Sequence, residues 1–131
     1  MKKFFVVFAV LLIVTTSLFA GEVNIDKALK AYKIALEDGN IGLRSSALFR
    51  IAQVKSEYPE TDFSAIENTL KKISRSDKSV MVKVQADLVL KYIQNDALSV
   101  NAIEAQENSV LFFNQLYDAV MANEITTLAS K

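Results

Sequence analysis

A stretch of 17 residues that returns once, 39 positions further on, constrains this chain more than any other feature. Residues 38–54, DGNIGLRSSALFRIAQV, are echoed by residues 77–93, DKSVMVKVQADLVLKYI. In that register Asp38 meets Asp77, Ile41 meets Val80, Leu43 meets Val82 and Arg44 meets Lys83. Further along, Ala47 meets Ala86, Phe49 meets Leu88, Ile51 meets Leu90 and Val54 meets Ile93. An acidic turn, a basic residue six positions later and apolar residues at helical spacing thus recur together. An internal period of this length is the signature of helical hairpins stacked on one another, each burying the face that its neighbour leaves open.

Around this repeat the chain reads as all-α. Asn24 is placed to cap a first helix from Ile25 to about Glu37, with Ile25, Ala28, Leu29, Tyr32, Ala35 and Leu36 at the i, i+3, i+4, i+7 spacing. Asp38-Gly39-Asn40 is a turn by composition, since Gly and Asn tolerate positive φ. A second helix runs from Ile41 to about Glu57 and stops at Tyr58-Pro59, because proline disfavours helix in the residue before it. Thr61, Asp62 and Ser64 offer caps for a third helix, and Ser64 with Glu67 has the capping-box spacing. Ile66, Leu70 and Ile73 form its narrow apolar stripe. After a turn over 74–79, a fourth helix from Val80 to about Gln94 is apolar nearly all round, which predicts burial on several sides at the centre of the domain. A polar break follows, and Asn101-Ala102-Ile103-Glu104 predicts the start of a long fifth helix reaching about Leu128.

The N-terminus carries an address. Lys2 and Lys3 precede an apolar run from Phe4 to Val14, then Thr15, Thr16, Ser17 and the small residue Ala20. The run is too short to span a bilayer and has the layout of a secretory signal, with cleavage after Ala20 or Gly21. Residues 1–20 are therefore expected to be a signal peptide and 21–131 a single domain, periplasmic or secreted. Removing the leader takes away two lysines and no acid, leaving 13 basic and 15 acidic residues, a net charge of −2. Such a balance gives no electrostatic footprint for nucleic acid or an anionic membrane surface. With no cysteine in the chain, disulfides are unavailable and the exported domain depends on its core.

Asp in the inter-helix turn with Arg or Lys six residues later resembles the HEAT repeat. In that family the second helix of each hairpin follows an acidic turn and carries a basic residue near its start. The resemblance covers residues 24–95 and implies that Asp38 and Arg44 fill those places in one unit, Asp77 and Lys83 in the next. It implies a short α-solenoid of stacked antiparallel hairpins, about five helices in all, the fifth being an incomplete third unit or a cap. A tetratricopeptide reading starts from Ala28, Tyr32, Ala35 and Leu36. Its period of about 34 residues leads to Asp62, Ile66, Thr69 and Leu70, three of which do not fit.

Little here points to catalysis. The chain has no His and no Cys, which removes the commonest general base, the thiolate nucleophile and the usual zinc ligands. Acid pairs such as Glu57 with Glu60 and Glu104 with Glu107 read as solvated helix faces. The three glycines, Gly21, Gly39 and Gly42, form no phosphate loop. No catalytic residue, cofactor or metal site is expected.

Two sets of residues remain. Arg44 and Lys83 are either an aligned basic ladder for a partner's acids, or they join Asp38 and Asp77 in satisfying the turns of the stack. On the fifth helix Phe112, Phe113, Tyr117 and Met121 span more than one face. They either form a patch for a protein partner or a second copy, or the helix wraps over the open end of the stack. The expected function is a non-catalytic interaction scaffold or adaptor in the cell envelope. The alternative is a binder of a small apolar ligand or lipid between the last two helices.

Overall fold

The computed structural model describes residues 24–100 and 108–131. The predicted leader and the Asn101–Glu104 segment, with the acid pair Glu104 and Glu107, lie outside these residues. Among the described residues all regular structure is helical. The helices are α1 (Ile25–Leu36), α2 (Ile41–Glu57), α3 (Ser64–Ser76), α4 (Val80–Gln94) and α5 (Ser109–Ala129).

Each helix starts where a side chain takes up backbone N–H groups that have no partner within the helix. Asn24 accepts from Lys27 N at 3.0 Å and Asn40 from Leu43 N at 3.0 Å. Ser79 caps α4 through Val82 N, at 3.3 Å. At α3 the capping box does not form. The N-cap position belongs to Phe63, whose side chain is buried, and Asp62 instead accepts from Ser64 N at 2.9 Å. The last described helix begins at Ser109. Asn108 has extended backbone and accepts from both Val110 N and Leu111 N, which sets the start of α5 at that point.

The turns of the repeat match at the level of single hydrogen bonds. Asp38 Oδ1 accepts from Asn40 N and Asp77 Oδ1 accepts from Ser79 N, each at 2.8 Å. Positive φ plays no part in the first turn. Asn40 has φ −82° and Gly39 lies outside the left-handed region, because the Asp38 carboxylate folds the chain over by itself.

Packing pairs α1 with α2 and α3 with α4, while α2 lies against α4 and α1 against α3. The chain is therefore two hairpins whose second helices sit side by side, and α5 packs across α4 and α2. Leu48, Ile51, Ile66, Leu70, Val82, Val89, Phe112 and Leu116 are almost wholly withdrawn from solvent and form the centre of one core. The repeat is confined to the turns and second helices. In α1 the buried residues are Leu29 and Leu36, whereas the positions 39 later in α3 are the exposed Asn68 and Arg75.

Candidate functional site

Arg44 is where the two units meet. One turn into α2, it is largely buried, and it donates from Nε to Asp77 Oδ2 and from Nη2 to Asp77 Oδ1, both at 2.9 Å. Its Nη1 donates to the Asp38 carbonyl at 2.9 Å. One guanidinium thus ties together the turn of its own hairpin and the turn of the next, through the planar fork that lysine lacks. The side chains retain only 11% and 7% of their exposure. The hydrogen bonds from Arg44 hold the Asp77 carboxyl below its ordinary value of 3.8; desolvation opposes them, and the Ser79 N–H and the charges of Arg44 and Lys83 assist.

Of the four turn residues, the structure joins Asp38, Arg44 and Asp77 and leaves out Lys83. Lys83 is half-buried, lends only its charge to Asp77, and among the described residues makes no hydrogen bond or ion pair. There is accordingly no ladder of two free basic groups. Arg44 is taken up by the Asp38 and Asp77 turns.

A second buried cation was not anticipated. Lys55 lies on the same stripe as Arg44, since 44, 48, 51 and 55 share one face of α2, and Leu48 and Ile51 are wholly buried. Its Nζ donates to Asp96 Oδ1 at 2.6 Å, with 7% of the lysine side chain exposed against 92% of the aspartate. The lysine at a core position was the available signal, because a basic residue there must find an acid or extend its stem to solvent. The polar break after α4 likewise conceals Leu98, which is buried.

The four aromatic and apolar residues singled out on α5 do not form one patch. Phe112 and Phe113 face inward. Phe112 stacks edge-on against Phe49, Tyr92 and Phe113, with centroids 5.4, 6.3 and 5.6 Å apart. Tyr117 and Met121 face outward, Tyr117 at 49% exposure. They belong to a stripe that sequence reading assembled only in part. Val110, Tyr117, Met121 and Leu128, spaced by seven, four and seven residues, project from one side of α5, with Ile125 beside them, and all five are exposed. The helix therefore buries one apolar face and presents a second.

Between that stripe and the start of α4 lies an open groove of about 390 Å³. Val80, Val84, Leu88, Tyr117, Val120 and Met121 give it apolar walls, and Lys83, Asp87 and Lys91 its charges. Lys91 pairs with Asp87 at 3.1 Å and Glu124 at 3.0 Å. The bond to Glu124, then that to Asp87, raises its ammonium above the ordinary 10.5 against a lowering by desolvation. The groove is open and partly charged, unlike a dry enclosed pocket.

Among the described residues no helix is long and apolar enough to cross a membrane, and no three acidic or other metal-ligating side chains are placed to hold a metal. Glu57 and Glu60 are exposed. Compared with models of known protein families, with curated proteins and with solved structures, the chain finds no match.

Proposed function

We propose that this chain is an exported, non-catalytic protein of the cell envelope that acts as an interaction scaffold or adaptor, built as a short HEAT-like stack of two hairpins with α5 as its cap. The observation that carries the reading is the outer stripe of α5. Single exposed apolar residues are ordinary, but Val110, Tyr117, Met121, Ile125 and Leu128 are gathered on one side of one helix, and Val80 and Val84 of α4 lie across the groove from Tyr117 and Met121. Exposed apolar residues gathered on one side of a helix support a protein contact there. Tyr117 fits such a role, combining a large rigid ring with a polar hydroxyl. The open, partly charged form of the groove favours a polypeptide over a small apolar ligand or lipid enclosed between α4 and α5.

Residues 1–20 support the assignment to the periplasm or the exterior, through their lysine-led apolar run. Mass spectrometry of the protein recovered from cells tests this part, the expected first residue being Gly21 or Glu22. The interaction itself is tested by placing a photo-crosslinking residue at Met121 and, as a control, at Lys30 on the far hairpin. A discrete adduct from Met121 alone supports the scaffold reading. Equal labelling from both, or none, refutes it.

A further inference from the structure

The internal repeat leaves two positions unfilled, at opposite ends of the stack. Arg44 on α2 takes the carboxylate of the following turn, Asp77. Lys83 holds the same place on α4, and the 39-residue spacing would bring the following turn to position 116. That position is Leu116, buried in the middle of α5. The described chain therefore gives Lys83 no turn to receive. At the other end Asp38 forms the same turn as Asp77, but only its main-chain carbonyl meets Arg44, and among the described residues no cation reaches its carboxylate. Leu43 beside it is 44% exposed, whereas Val82, its counterpart in the second unit, is fully buried.

The outer side of α4 does not offer a full-length stacking face. Leu48 and Ala52 of α2 are buried, and at their places α4 carries Asp87 and Lys91, which pair with each other, Lys91 also reaching Glu124 of α5. That half carries charge in place of an apolar stacking surface. The first turns of α4 remain open, with Val80, Lys83 and Val84 lining the groove.

We infer that a second copy of this chain docks head-to-tail on the start of α4, seating its Asp38 turn and the first turn of its α2 so that its Asp38 meets Lys83. The two unfilled positions complement each other in charge, and the exposed Ile41 and Leu43 of one copy face Val80 and Val84 of the other. The inference rests on reading the hairpins as stacked units. The contact is heterologous, so each docked copy leaves one end free and association runs on into short chains. It is also small, with one exposed ion pair, which makes it weak and salt-sensitive.

Sedimentation equilibrium on the protein as recovered from cells, from micromolar to near-millimolar concentration, reads the association directly. At low salt the average mass rises with concentration. Asp38→Asn, which retains the oxygen that accepts from Asn40 N, and Lys83→Gln each weaken association several-fold. An equimolar mixture of the two variants regains association but stops at the dimer, because only one intact Asp38–Lys83 pair is available. A constant monomer mass, an association indifferent to both substitutions, or a mixture no better than its components overturns the inference. An association lost only on Tyr117→Ser also overturns it, by placing the contact on α5. Arg44→Gln separates hairpin stacking from docking between copies. Unchanged stability in that variant defeats the stacked-unit reading, whereas lost stability without the mixing effect defeats the docking alone.

Discussion

Arg44 and Lys55 stand at the two ends of one buried stripe of α2 and reach the two acids that bracket α4. Asp77 precedes α4 and Asp96 follows it. Between them Leu48 and Ile51 are wholly buried. The second hairpin is thus held on the first by apolar packing in the middle and a cation at each end. The ends differ in kind. The Arg44 pair is bidentate and enclosed, while the Lys55 pair joins a buried lysine to an aspartate that faces water.

The enclosed end makes stability depend on acidity. Asp77 is held below its ordinary 3.8 chiefly by Arg44. In acid the unfolded chain therefore takes up the proton first, and stability rises with pH across this window. The contribution is complete above the unfolded value and is lost as pH falls from about 4 through the lowered folded value. Urea unfolding of the protein and of Asp77→Asn should differ at neutral pH and converge in acid.

At the exposed end the two partners should respond differently to substitution. Asp96→Asn removes a charge that water already screens and should cost at most about 1 kcal/mol. Lys55→Met keeps the packing of the stem and should be neutral or stabilising. Lys55→Ala loses that packing and should cost more than either. Chemical denaturation of the three variants reads the order.

On α5, neighbours in sequence should separate sharply. Phe112→Ala removes a ring held by three others and should cost about 3 to 5 kcal/mol. Tyr117→Ala should stay within about 0.5 kcal/mol yet abolish the adduct formed from Met121. Thermal melts followed by circular dichroism measure the first effect, and crosslinking the second.

The side-chain caps can be tested one by one. Asn40→Ala should destabilise by about 1 kcal/mol, since Asn40 is the side chain that accepts from Leu43 N. Ser64→Ala should have little effect, because at α3 the side-chain acceptor is Asp62. Equal losses at the two positions would restore the capping box.

Much of the architecture was legible because it follows from period and punctuation. The Asn24 cap, the stop at Tyr58-Pro59 and the bounds of α2 and α4 were each marked by one residue type at one place. The recurrence of Asp38 at Asp77 revealed the repeat, and the matching turns carry the same hydrogen bond. That Arg44 bonds to turns of the chain was one of the two readings the spacing allowed, but that Lys83 does not do the same was not legible. The inner and outer faces of α5 were equally hidden. A helix apolar around most of its circumference gives no periodic contrast, so Phe112 and Tyr117 look alike until the neighbours are placed. The Asn108 cap of α5 was not singled out, although it is the same residue type as the other helix-capping asparagines.

The link between the two hairpins is tested by one double-mutant cycle, Arg44→Gln and Asp77→Asn, singly and together, followed by urea unfolding at pH 7. If Arg44 joins the two units through Asp77, each single variant loses stability and the pair shows a coupling of more than about 1 kcal/mol. Additive losses, with no coupling between the two positions, would contradict it.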